Sequence, residues 1–132
     1  MIVIDASALL AIYFNEPESQ AFEDIVTGAE PCAISAVNAH EVACILRARH
    51  GPSAVADFWD FLSGNEIAIF PFDKVQLYAA AEAFHRYGKG IHPKARLNLA
   101  DCAAYALAKT MNAPLLFKGG DFVHTDVEVY FQ

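Results

Sequence analysis

Basic residues are scarce in this chain. Nine Lys and Arg stand against sixteen Asp and Glu, a formal net charge of −7 with the histidines neutral. Phosphate binding ordinarily rests on cationic surface, so this balance argues against a broad nucleic-acid-binding face and confines any such role to a local patch. Cysteine is sparse as well. Cys32, Cys44 and Cys102 are odd in number, far apart and set among apolar neighbours, and there is no C-x-x-C. That pattern argues against a disulfide framework and against cysteine-ligated zinc, and fits buried thiols in a reducing cytoplasm. No segment reaches the ~18 uninterrupted apolar residues of a membrane span. The apolar start of the chain has no basic residues ahead of it, contains Asp5, and lacks a small-residue cleavage site after a full apolar core, so it reads as part of the fold rather than a leader. Internal repeats, low-complexity tracts and linkers are missing too. The expectation is one cytoplasmic domain over residues 1–132 with no membrane contact.

What the chain does have is apolar mass, 55% of its residues. A domain of this size buries roughly two-thirds of its unfolded surface, so a core is assured. Met1 to Ile4 is a β-branched run of the kind found in strands buried on both faces. Helical spacing follows over Ala6–Asn15 and Ser19–Thr27, then a strand at Pro31–Ser35 and a longer helix at Ala36–His50. Ser53–Ser63 is another helix. Its Phe58, Trp59, Phe61 and Leu62 wrap too far round for one core stripe, which points to a face shared with a second copy of the chain. Glu66–Phe70 reads as a strand, and Asp73 caps a helix through Tyr87 with Leu77, Ala80, Ala81 and Phe84 inward. Gly88–Arg96 is loop. Leu97–Met111 is helix, Pro114–Phe117 a strand, Lys118–Asp126 a loop and Val127–Tyr130 a fifth strand. Strands alternating with helices predict a three-layer α/β/α fold around a mostly parallel sheet of four to five strands.

Against this apolar background four carboxylates stand out. Asp5 ends the first strand, where open α/β sheets place their ligands, although Asp is also a favoured helix N-cap. Glu41 lies between Val37 and Ile45 on the apolar side of its helix, and Asp101 between Leu97 and Tyr105 within an apolar run. Asp121 hangs off the end of the strand before it. Each could be a boundary acid paired with a Lys or Arg, or a turn residue. Glu41 and Asp101 lack basic helical neighbours, and buried like charges need a compensating charge. A hard divalent cation such as Mg²⁺, which takes oxygen ligands, would supply it. Cations gather elsewhere: no acid lies between Glu82 and Asp101, while Arg86, Lys89, Lys94 and Arg96 do, with His85 and His92.

The order of these motifs resembles the PIN-domain ribonucleases, and in particular the VapC-type toxins of toxin–antitoxin pairs. The resemblance is carried by a hydrophobic strand then Asp5-Ala6-Ser7-Ala8, by Ser35-Ala36-Val37-Asn38 leading to Glu41, by Leu97-Asn98-Leu99-Ala100-Asp101-Cys102, and by Leu116-Phe117-Lys118-Gly119-Gly120-Asp121-Phe122. It covers nearly the whole chain, with departures at Ala100, where Gly is more usual, and at Gly120, where a polar residue often stands. The resemblance implies that Asp5, Glu41, Asp101 and Asp121 form a catalytic Mg²⁺ or Mn²⁺ site. It implies that Ser7 supports Asp5 or a water there, and that RNA is cut to 5′-phosphate and 3′-hydroxyl ends. It also implies a homodimer and a cognate VapB-type antitoxin that masks the acids. Asp126 is expected to be a turn residue, and the loop from Arg86 to Arg96 to hold the RNA backbone. Two other readings stay open: a non-catalytic PIN-like binding module, and a phosphoryl-handling domain of the receiver or phosphatase type. Ser7 stands where a D-x-D phosphatase needs its second Asp, and no acid doublet precedes the first strand as a receiver would require.

Overall fold

A computed structural model describes residues 1–130; the last two residues of the expected domain lie outside the described residues. Four short strands, β1 (Ile2–Ile4), β2 (Cys32–Ser35), β3 (Ala68–Phe70) and β4 (Leu115–Leu116), pair in parallel in the order β3-β2-β1-β4. Six helices connect them: α1 (Ala6–Tyr13), α2 (Ser19–Val26), α3 (Ala36–His50), α4 (Pro52–Gly64), α5 (Lys74–Tyr87) and α6 (Leu99–Thr110). This is the expected three-layer architecture.

The alternation of side chains along a strand sorts the core into two halves. Ile2 and Ile4, with Ile34 of β2, point to one face and meet Leu9, Phe22, Val42, Leu46, Phe58 and Leu62 from α1 to α4. Val3, Ala33 and Leu115 point to the other and meet Ala83, Tyr105, Leu107 and Phe122, with α5 and α6. From β1 the chain first steps outward to β2 and β3, then returns to lay β4 on the opposite side of β1. The crevice beyond β1 and β4 is therefore the place where strand order reverses, the usual ligand position in such sheets.

Several expectations need correction. The strand foreseen over Val127–Tyr130 shrinks to a single parallel bridge between Val129 and Leu115, because β4 has only two residues to pair with. Leu77, Ala81 and Phe84 are not inward: Ala81 is exposed and the other two are 52% and 40% exposed, since α5 meets α6 through Ala80, Ala83 and Tyr87. Phe58 and Leu62 are core residues, 0% and 2% exposed, and Trp59 alone of that aromatic run stands well out at 45%. The surplus apolar surface thus sits on α5 more than on α4. Cys32 and Cys102 are buried as expected, but Cys44 is exposed on α3, its Sγ 3.5 Å from Nε2 of His40. No helix among the described residues is long and apolar enough to cross a membrane.

Phe58 is enclosed and meets Tyr13 edge to face, with ring centres 5.9 Å apart. Truncation should leave a cavity, so Phe58→Ala is expected to lose ~3–5 kcal/mol in chemical denaturation. Trp59→Ala should lose less than about 1 kcal/mol.

Candidate active site

Three of the four acids sit at or near helix N-termini at the carboxyl ends of strands. Asp5 leaves β1 in extended conformation and caps α1, its Oδ2 accepting the Ser7 amide at 3.0 Å. It is only 4% exposed. Asp101 belongs to the first turn of α6 rather than mid-helix, because Asn98 stops the helix from starting at Leu97. The two residues form a reciprocal cap: Asn98 Oδ1 accepts the Asp101 amide at 2.8 Å, and Asp101 Oδ2 accepts the Asn98 amide at 3.0 Å. Acids are favoured at such positions by the unpaired amides and the helix dipole. Capping and site roles therefore do not compete. In both residues the cap engages Oδ2, and Oδ1 has no hydrogen-bond partner among the described residues.

Glu41 is half-buried in the second turn of α3. Asp121 is exposed, on the loop that follows β4. That loop turns at Gly119, whose φ of +98° a side chain would strain, and it is anchored at Lys118. The Lys118 amide donates to Ser7 Oγ at 3.0 Å, and its ammonium pairs with Glu16 and Glu18 on the α1–α2 connection. Ser7 therefore touches both Asp5 and the loop that carries Asp121.

The electrostatics tie the four together. Burial pushes Asp5 up to about 6; the Ser7 hydroxyl and amide oppose the rise, while Glu41 and Asp121 add repulsion. Burial likewise lifts Asp101 to about 7, against its hydrogen bond from Asn98 and with repulsion from Asp5 and Asp121. Glu41 is raised by burial and by Asp101, with the Asn38 side chain acting the other way. Asp5, Glu41 and Asp101 thus each feel at least one other acid of the set. None of the ion pairs among the described residues includes Asp5, Glu41, Asp101 or Asp121.

The described residues contain no group of three or more His, Cys, Asp or Glu drawn together as a ready metal cage. The acids share one field without being closed into a coordination shell, as expected of like charges that repel. As a donor set they suit a hard cation: oxygen only, with free carboxylate oxygens on Asp5 and Asp101.

Two residues of this region escaped the sequence reading. Asn98 had a signal, since Asn three residues before Asp is a capping pattern. Asn38 had none beyond its place three residues before Glu41; it is fully buried, and its Nδ2 donates to the Ala100 carbonyl at 3.0 Å. Arg86 is shared with an acid. It lies 3.7 Å from Asp126, which also accepts from Lys109 and from the Tyr105 hydroxyl. Arg86 also donates to the Tyr87 hydroxyl at 2.8 Å, and the Tyr87 carbonyl accepts the Leu97 amide just before α6, so Asp126 ties the end of α5 to Tyr105 and Lys109 of α6. Although burial works the other way, Tyr105, Lys109 and Arg86 hold Asp126 below its ordinary value. Asp126 is therefore structural, through this network rather than through a turn alone. Lys89, Lys94 and Arg96 remain exposed on the loop before α6.

Comparison with known proteins identifies the family. The PIN domain family matches residues 2–128. A protein of Mycolicibacterium smegmatis named Ribonuclease VapC is 40% identical over 126 residues, which span 96% of this chain and 97% of that protein. Among solved structures, Mycobacterium tuberculosis VapC20, described as a sarcin-ricin loop cleaving toxin, aligns with a TM-score of 0.77 at 15% identity over 96% of both chains. A toxin–antitoxin complex from Klebsiella pneumoniae contains a chain with a TM-score of 0.75 at 17% identity, covering 98% of this chain and 97% of that one. At such identities the two structures speak for the fold alone.

The raised carboxyls set a pH dependence. Folded Asp5 and Asp101 keep their protons to about pH 6 and 7, whereas their ordinary value is 3.8. Between pH 4 and 7 the folded state therefore binds more protons than the unfolded one. Stability should fall as pH rises through that window and level off above it. For Asp5 the loss is on the order of 3 kcal/mol. Asp5→Asn keeps a capping oxygen and removes the charge, so in EDTA its unfolding midpoint should exceed that of the unaltered protein at pH 8 and match it at pH 4.

Proposed function

The chain belongs to the PIN-domain family, among the VapC ribonucleases, and on that premise we propose that it is a divalent-metal-dependent endoribonuclease, the toxin of a toxin–antitoxin pair. The observation that carries this reading is the gathering of Asp5, Glu41, Asp101 and Asp121 at the carboxyl ends of the strands, mutually repelling and without a paired cation. A purely structural set of acids would be expected to hold its own Lys or Arg, as Asp126 does.

In this reading Asp5, Glu41, Asp101 and Asp121 hold Mg²⁺ or Mn²⁺. When bound, the ion supplies Lewis acidity and an activated water for in-line displacement at a phosphodiester. Asp5 and Asp101 each keep one oxygen on a helix cap, which fixes the direction of the other. Ser7 holds Asp5 through its amide and the Asp121 loop through its hydroxyl, so it supports the relative placement of two acids. Lys89, Lys94 and Arg96 lie on the loop that leads into Asp101 and are placed to contact RNA phosphates, which position a substrate without reading its sequence.

The proposed partners follow from the same surface. A cognate VapB-type antitoxin would neutralise the toxin by offering a cation to the acid cluster, the charge the domain does not itself provide. A homodimer is proposed from the apolar groove of about 330 Å³ lined by Val37, Phe72, Leu77, Phe84, Leu99 and Ala103. A cytoplasmic setting, where RNA and antitoxin are both at hand, completes the reading.

RNA cleavage by the purified chain should disappear in excess EDTA and return with Mg²⁺ or Mn²⁺; full activity in EDTA would sink the proposal. Glu41→Gln should abolish cleavage while leaving the unfolding midpoint equal or higher, which activity and thermal melts on one preparation would check. Lys94→Ala with Arg96→Ala should weaken RNA binding and flatten its salt dependence in a binding titration over salt concentration, and Arg86→Ala, whose guanidinium is shared with Asp126, should do so to a smaller extent.

A further inference from the structure

Asn38 is the one polar side chain in this region that is completely enclosed, at 0% exposure. Sequence separates it from Ala100 by 62 positions, yet its Nδ2 donates to the Ala100 carbonyl at 3.0 Å. That carbonyl settles which way the amide points, because the opposite rotamer would set Oδ1 against another acceptor. Oδ1 is thereby committed to the other side, where it has no partner among the described residues. Burying an unpaired acceptor is unfavourable, and an apolar residue of the same shape would avoid it.

The position of this amide accounts for its retention. Asn38 lies in the first turn of α3, three residues before Glu41, on the same side of the helix. Ala100 directly precedes Asp101 in the first turn of α6. One hydrogen bond therefore joins the starts of the two helices that carry Glu41 and Asp101. These acids repel each other, and a bond at this point resists their moving apart. We infer that Asn38 is a positioning residue, which sets the separation of Glu41 and Asp101 through Ala100 and makes the pair competent to bind a divalent cation. The inference rests on the metal-dependent reading above and deepens it.

The decisive variant is Asn38→Leu, close in shape and free of the unpaired acceptor. Mn²⁺ binding is measured by calorimetry on the full chain, beside the thermal midpoint without metal and the kinetics of RNA cleavage. A positioning role predicts a midpoint equal to or above that of the unaltered protein, Mn²⁺ affinity lower by roughly 10-fold or more, a reduced kcat, and KM for RNA within about twofold. Unchanged Mn²⁺ affinity and kcat, with or without a shifted midpoint, would overturn the inference by reducing Asn38 to a packing residue. Should Asn38→Leu fail to fold, Asn38→Ser, too short to reach Ala100, is held to the same outcomes. If the unaltered protein itself binds no Mn²⁺ and cleaves in EDTA, it is the metal-dependent reading that falls, and the inference falls with it.

Discussion

Like charge held in one place is the constraint on which this structure turns. Burial and mutual repulsion lift Asp5, Glu41 and Asp101 together, and the fold spends part of its local order on tolerating them. The means is the helix N-terminus. Asp5 caps α1 and Asp101 caps α6 in a reciprocal pair with Asn98. Each accepts an amide that would otherwise lack a partner, in the positive field of a helix start. The same bonds aim the remaining oxygens. An arrangement that looks like ordinary capping from one side is, from the other, a means of presenting carboxylates.

Parallel strands make this arrangement possible. All four run the same way, so their carboxyl ends and the starts of the following helices collect along one edge of the sheet. The reversal of strand order between β1 and β4 opens a crevice there. Two tie-points hold its walls at named atoms: Ser7 Oγ to the Lys118 amide, and Asn38 Nδ2 to the Ala100 carbonyl. Both join segments remote in sequence, and both bear on residues that flank the acids.

The distribution of cations complements that of the acids. Lys118 is engaged by Glu16 and Glu18, and Arg86 and Lys109 by Asp126. The cluster is thereby left without an internal counter-ion among the described residues, although the chain has nine Lys and Arg. A site of this kind calls for an external cation, whether a metal or a basic side chain of a partner. Free Lys and Arg on the loop before α6 would be attracted to an RNA backbone without neutralising the acids themselves.

Much of this was legible in the sequence, because local chemistry decides it. A β-branched run ending in Asp5, acids on apolar helix faces and the alternation of strand with helix are properties of short windows, and they yielded the architecture and the candidate acids. What needed tertiary structure was every question of pairing across distance. Helical periodicity cannot tell which neighbour covers a face, so Leu77 and Phe84 read as core when α6 in fact meets α5 elsewhere, and Phe58 and Leu62 read as surplus when the core shared with α1 and α3 encloses them. Charge along the chain cannot tell which acid a cation will meet, so the pairing of Arg86 with Asp126, 40 positions on, was hidden in it. Asn38 was silent for the same reason. Its meaning lies in a carbonyl 62 residues away, and only a folded chain brings a donor to an acceptor that sequence leaves so far apart.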